Sequence, residues 1–194
     1  MKSMKKATMT EKDTEQMRNE IETLKMCQHP NIIKLLDVFE NTDHVYIVME
    51  LLDGGDLFSY LEKRKFKIPE ARARKIIHYL AGALFYLHSY GIIHRDIKPE
   101  NILMVDKSES SDVKIVDFGL AKMIGPSQLC IDAYGTLGYV APEVLSEKPY
   151  AKAADIWSLG VIAYLMLIGA LPFDSKDDHE LTRYFRCKLI PFLD

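Results

Sequence analysis

Cysteine is scarce in this sequence. The three cysteines, Cys27, Cys130 and Cys187, stand far apart, with no paired spacing and no ligand cluster around them. No disulfide framework is indicated, and a reducing compartment is the simple reading. Basic charge is not in excess. The 25 lysines and arginines face 28 acids, a net charge of −3, so the footprint of a nucleic-acid binder is missing. Met1-Lys2-Ser3-Met4-Lys5-Lys6 leads into charge without an apolar h-region, so no signal peptide is expected. There is no internal repeat, no low-complexity segment and no G-x-G-x-x-G. Long uncharged runs are nearly absent. The exception, Ile156–Phe173, is 18 residues long, the lower limit for a helix that spans a bilayer. Ser158, Gly160, Gly169 and Pro172 interrupt it, and a helix apolar on all sides can sit in a protein core as well as in lipid.

What the chain does have is apolar content for burial: 194 residues, 48% hydrophobic and 27% charged, suit one globular domain or two small lobes around a core. Its most informative stretch is 94–119. It reads His94-Arg95-Asp96-Ile97-Lys98-Pro99-Glu100-Asn101, and later Asp117-Phe118-Gly119. Ile102–Val105 and Val113–Val116 between them read as short strands joined by the polar turn 106–112. A hairpin of these strands returns Asn101 and Asp117 to the same end. Two oxygen donors there suit a hard cation such as Mg²⁺, which keeps waters and phosphate oxygens as its other ligands. Asp96, five residues before Asn101, is placed to orient an incoming hydroxyl.

Elsewhere the pattern gives a succession of elements. Thr10-Glu11-Lys12-Asp13 is a capping-box-like start. The helix it opens carries Met17, Ile21 and Leu24 as an apolar stripe, with Glu20 on its flank, a solvated glutamate if taken alone. Ile32–Phe39 and Val45–Met49 read as a hairpin across the polar residues 40–44. Gly54-Gly55 permits a turn before a helix that Asp56 can cap. Pro69-Glu70 opens a long helix with Ile76, Ile77, Leu80, Leu84 and Leu87 on one face, ended by Gly91. His88, in its last turn, suits the negative helix end and is assigned no chemistry. Strand patterns dominate early and helical ones later.

H-R-D-I-K-P-E-N, D-F-G and Ala141-Pro142-Glu143 together resemble the signature set of eukaryotic protein kinases, in order and spacing, across nearly the whole chain. Lys98 resembles the serine/threonine branch, and the nearest group is the calcium/calmodulin-dependent and calcium-dependent protein kinases. The resemblance implies an α+β, bilobal fold. Residues 1–50 then form part of an N-lobe, 51–55 a hinge, and 56–194 a mainly helical C-lobe. Asp155–Gly160 resembles the start of the family's buried central helix. The resemblance further implies ATP and Mg²⁺ as cofactors, with Asn101 and Asp117 holding the metal. Asp96 orients the substrate hydroxyl, Lys98 places charge near the transferring phosphate, and Thr136 braces both. Lys2 holds the nucleotide phosphates and pairs with Glu20, with Lys5 and Lys6 as alternatives. The Glu50 carbonyl and Leu52 amide meet adenine, with Met49 at the back of the pocket. Leu103 and Leu57 join a stack completed by adenine, and Leu24, Leu35, Phe118 and His94 form a second stack. Asp56 faces ribose or a basic substrate residue.

The resemblance also carries expectations about control and partners. Protein substrates with serine or threonine are implied, with one basic residue upstream that meets Asp56 or Glu100. Gly138 and Leu165 stand where strongly basophilic relatives carry further acids. Arg95 matches an arginine that pairs with a phosphorylated loop residue in many relatives, but three residues before Gly135 stands Asp132. A carboxylate already carries part of the charge that phosphate adds. Asp132 is therefore expected to pair with Arg95 without phosphorylation, with Ser127 and Tyr134 as candidate phosphosites at other offsets. No EF-hand or calmodulin-binding segment lies in these residues, so calcium or calmodulin control is analogy. The location expected is cytoplasmic, with the nucleus as the alternative, and with neither membrane nor nucleic-acid partners. The missing glycine-rich strand pair, and an arginine expected to pair with Glu143 further on, make the chain look like a kinase core cut at both ends and a poor enzyme alone. The competing reading is a kinase-like interaction module without catalysis. Intact Asp96, Asn101 and Asp117 argue against it.

Overall fold

The computed structural model describes residues 1–173. Near its start, Thr10 opens α1 (Glu11–Met26) with a reciprocal cap. The Thr10 hydroxyl accepts from the Asp13 N–H at 3.1 Å, and the Asp13 carboxylate accepts from the Thr10 N–H at 2.8 Å. The helix packs against a three-stranded antiparallel sheet of β1 (Lys2–Lys5), β2 (Leu35–Glu40) and β3 (His44–Met49), in the order β1-β3-β2. Val45 and Ile47 alternate into the core from the central strand, as a sheet with one covered face requires. Asn41 closes the hairpin by accepting from the Asp43 and His44 N–H groups.

The apolar run at 32–39 is not one strand. β2 begins at Leu35 and carries an irregularity before Asp37. Ile32 and Ile33 leave the sheet and bond instead to Ile115: the Ile33 N–H donates to its carbonyl at 3.0 Å, and the Ile115 N–H donates to Asn31 O at 2.9 Å. Both isoleucines are buried there, so burial between two layers accounts for their apolar character. They join the sheet half to the helical half.

That second half holds α2 (Leu57–Glu62), α3 (Glu70–Ser89), α4 (Pro142–Leu145) and α5 (Ala153–Ile168). The inner face of α3 is Ala73, Ile76, Leu80, Ala83, Leu84 and Leu87, while Ile77 is half-buried at its edge. α3 packs on α5, which is apolar nearly all round and ends at Gly169 in the left-handed conformation, φ 87°. The helix starts three residues before the uncharged run and stops at Ile168. Among the described residues no helix is long and apolar enough to cross a membrane.

Two small antiparallel pairs lie between the helices. β5 (Ile102–Met104) pairs with β6 (Val113–Ile115), the hairpin read from the sequence. β4 (Ile92–Ile93) pairs with β7 (Lys122–Met123), a contact no local pattern announces. A main core runs from Leu24 and Ile32 through α3 and α5. A second core of Ile93, Ile124, Cys130, Ala141, Val144, Tyr150 and Ala154 lies under the loop between β7 and α4.

Gly91 makes the β4–β7 approach possible. It has φ 74°, and a Cβ there would lie 2.5 Å from the Ile124 carbonyl oxygen. Gly91→Ala is expected to lower unfolding free energy by about 1–3 kcal/mol in urea titration, through left-handed strain and that clash.

Candidate active site

The loop 94–101 is held from beneath by one buried carboxylate. Asp155, 1% exposed in the first turn of α5, accepts from the backbone N–H of His94 and of Arg95, each at 2.9 Å. Its Oδ2 also lies 2.8 Å from His88 Nε2. This anchoring holds Arg95 at φ 70°, a conformation costing a non-glycine residue about 1–3 kcal/mol. Asp117 also lies at positive φ, 61°. His94 is fully buried and packs edge-on against Phe118, with ring centroids 5.0 Å apart. Its Nε2 donates to the Val116 carbonyl at 3.1 Å, and its Nδ1 accepts from the Asp96 N–H at 3.3 Å. The imidazole thereby ties the residue before Asp117 to Asp96 itself.

Four polar side chains converge above that frame. The Thr136 hydroxyl donates to Asp96 Oδ1 at 2.7 Å and accepts from Lys98 Nζ at 2.8 Å. Lys98 Nζ also lies 2.9 Å from Asp96 Oδ2. Asn101 Nδ2 donates to Asp96 Oδ2 and to the Asp96 carbonyl, both at 2.9 Å. With its nitrogen committed, the Asn101 amide oxygen accepts no hydrogen bond among the described residues. The Val116 N–H donates to Asn101 O at 3.0 Å, which brings Asp117 beside Asn101 at the open end of the β5–β6 hairpin. One carboxylate and one amide oxygen form a donor set that fits Mg²⁺, a hard cation that takes few protein ligands. Among the described residues no group of three or more His, Cys, Asp or Glu forms a denser cage.

On the sheet side, Lys2 Nζ meets Glu20 Oε2 at 2.5 Å. Glu20 is not the solvated helix glutamate that its sequence position alone allowed: it is 3% exposed. Burial pushes its carboxyl up from the usual range, Lys2 pulls it down, and the nearby Asp117 charge pushes it up again. Of the alternatives to Lys2, Lys6 binds Glu40 and the Asn41 carbonyl, and Lys5 is exposed.

The segment 50–55 runs without regular structure up to the Asp56 bridge, and Leu51 is 89% exposed. The Glu50 side chain accepts from the Lys34 N–H at 2.7 Å and from Lys114 Nζ at 2.6 Å. Its carbonyl and the Leu52 N–H are taken by no other backbone group among the described residues. Asp56 caps α2, accepting from the Ser59 N–H at 2.7 Å and the Ser59 hydroxyl at 2.8 Å. Its backbone bridges to Leu103, which is half-buried in β5. Glu100 is exposed and forms no ion pair among the described residues.

Asp132 lies 3.4 Å from Arg95 NH1 and closer, 2.9 Å, to Lys122 Nζ. The Lys122 hydrogen bond does most to hold its carboxyl below the usual range, against slight burial and with help from Arg95. The Tyr150 hydroxyl donates to the Asp132 carbonyl at 2.8 Å, and Arg95 Nε donates to Leu120 O at 2.6 Å. Glu143 is half-buried among the described residues.

Sequence reasoning missed Asp155, His88 and Lys122. Asp155 left a trace: a lone acid at the head of an otherwise uncharged helix is an unusual occupant of a core and demands donors. His88 and Lys122 left none, because their partners are 67 and 10 residues away.

A structure of this kind, with a sheet and helix over a helical half and an Asp–Lys–Asn–Thr cluster between them, defines a protein kinase core. The chain belongs to that family: the protein kinase domain model matches residues 1–191. Its curated relatives include a calcium/calmodulin-dependent protein kinase type 1 of Macrobrachium nipponense, 45% identical over 177 residues, or 91% of this chain and 50% of the relative. A calcium/calmodulin-dependent protein kinase type 1B of Homo sapiens is 47% identical over 165 residues, or 85% of this chain and 48% of the relative. The chain spans about half the length of these relatives.

Asp155→Ala leaves buried donors unpaired, each costing about 1–3 kcal/mol. Calorimetry is expected to show clear destabilisation as the 94–101 loop loses register. Asp155→Asn, which keeps one acceptor oxygen, should fall between.

Proposed function

We propose that this chain carries the catalytic core of a serine/threonine protein kinase, which moves the γ-phosphate of ATP to a protein hydroxyl. The observation that carries the reading is the Asp96 carboxylate, bound by Thr136, Lys98 and Asn101, with the residue before Asp117 bonded to the Asn101 carbonyl. Phosphoryl transfer asks little covalent chemistry of a protein; it asks for in-line positioning and neutralised charge. Asp96 receives the substrate hydroxyl and takes its proton late, with Thr136 fixing the carboxylate plane. Lys98, held between Asp96 and Thr136, carries positive charge to the transferring group. Lys2, oriented by Glu20, binds the inner phosphates, and the Glu50 carbonyl and Leu52 amide are open to adenine. Asn101 and Asp117 are the residues that hold Mg²⁺, which when bound neutralises phosphate charge. The division into 1–50, a hinge at 51–55 and 56–194 is supported by the change from sheet to helix and by the irregular segment between.

Substrate preference follows from which acids are free. Asp56 is committed to its cap, whereas Glu100 is exposed beside the loop, so Glu100 is the acid that meets a basic residue upstream of the phosphoacceptor. Leu165, 4% exposed, offers no charge to a peptide. Asp132 orders the loop by joining Lys122 and Arg95, without phosphorylation. The names of the relatives extend calcium and calmodulin control to this chain by analogy. A reducing, cytoplasmic setting accords with the buried free thiols Cys27 and Cys130.

In the natural full-length protein, Asp96→Asn is expected to cut peptide phosphorylation by about 10²–10⁴-fold with ATP affinity nearly unchanged. Asp117→Ala should abolish transfer and weaken Mg²⁺-dependent nucleotide binding. Full activity of Asp96→Asn would falsify the assignment.

Asp132→Ala is expected to lower kcat/KM severalfold. Asp132→Thr should stay equally low until an upstream kinase phosphorylates it. Unchanged activity in the alanine variant would leave Asp132 a solvated acid.

A further inference from the structure

One aromatic ring joins three parts of the molecule that the reaction needs in register. Tyr134 lies in the loop between β7 and α4, two residues before Thr136. The Arg95 guanidinium lies 4.7 Å from its ring centroid, and the Lys12 ammonium lies 5.3 Å from the same centroid. Both fall within the roughly 6 Å over which the ring quadrupole holds a cation. Arg95 belongs to the loop that carries Asp96. Lys12 sits in the first turn of α1, the helix that carries Glu20.

The other charges of this region do not make that connection. The Asp132 carboxylate binds Lys122 and Arg95, neither of which is on α1. Among the described residues Lys12 forms no ion pair, so its close electrostatic partner across the gap is the Tyr134 ring. A cleft of about 540 Å³, lined by Lys12, Gln16, Asn19, Lys122, Asp132 and Tyr134, separates α1 from the loop on this side. Side-chain packing across it is therefore thin, and a single tether matters more than it would in a filled interface. Lys12 and Glu20 are eight residues apart, about 12 Å along one continuous helix, so restraint at one end is felt at the other.

Granting the kinase reading above, we infer that Tyr134 is a positioning residue: its ring, shared by Lys12 and Arg95, holds α1 against the catalytic loop and so keeps Glu20 on Lys2. A ring attracts cations through its face whether or not it bears a hydroxyl. The tether thus needs the aromatic group and the two charges, and not the phenol.

The test combines hydrogen exchange with kinetics on the natural full-length protein. In Tyr134→Ala and in Lys12→Met, amide protection across residues 11–26 should fall severalfold. The Lys12→Met/Tyr134→Ala double variant should fall no further than either single. Tyr134→Phe and Lys12→Arg should keep the protection of the unsubstituted protein. With peptide and ATP as substrates, the same single variants should raise KM for ATP several times more than they lower kcat. Unchanged protection in both single variants, or losses that multiply in the double variant, would overturn the inference. Hydrogen exchange separates these outcomes even if the protein fails to phosphorylate any peptide. Failure to phosphorylate, with the unsubstituted protein no better than Asp96→Asn, counts against the kinase reading alone.

Discussion

The active loop hangs from Asp155. A carboxylate 1% exposed in the core has to find donors, and it finds them in the His94 and Arg95 amides and in His88. Those bonds hold Arg95 in the left-handed region, which turns the chain so that Asp96 faces Thr136, Lys98 and Asn101. The same loop sends His94 into the core against Phe118 and Val116 O, which sets where Asp117 emerges. One buried acid thus organises both the Asp96 carboxylate and the point where Asp117 leaves the hairpin. α5 supplies the rigidity: eight of its sixteen residues are buried, and it cannot shift without disturbing α3.

The sheet half meets this frame through a buried charge. Glu20 has lost most of its water, and Lys2 compensates for that at 2.5 Å, while Asp117 opposes it from the other half. Such a pair adds little net stability, because desolvation offsets much of the Coulomb attraction. Its value is positional. A pair that forms only when α1 stands in one place marks that place, and it fails when α1 moves. The Ile32 and Ile33 contacts to Ile115 hold the rear of the same junction with apolar surface and backbone bonds.

The loop between β7 and α4 has its own small core, built on Ile93, Cys130, Val144 and Tyr150, and a polar edge at Asp132. The exposed pair with Lys122 and the longer one with Arg95 are screened by solvent, so neither alone orders the loop. Order comes from summing them with the Tyr150 hydroxyl, the β4–β7 pairing and the cations over Tyr134.

Much of this was legible in the chain itself. Turn chemistry and period marked the Thr10 cap, the inner face of α3, the β5–β6 hairpin and the Asp56 cap, because each depends on residues a few positions apart. The hairpin between Asn101 and Asp117 was readable from their spacing, since a short hairpin returns its ends together. Glu20 was ambiguous: a helix flank says nothing about what lies beyond it, and only the packing of α1 onto the sheet made it buried. Ile32 and Ile33 read as strand because periodicity cannot tell a sheet residue from one wedged between layers. Asp155, His88 and Lys122 acquired their partners only when distant segments were packed together. Local bonding is written in the order of residues. Long-range pairing of charge is decided by which buried groups are left without water once the core has closed.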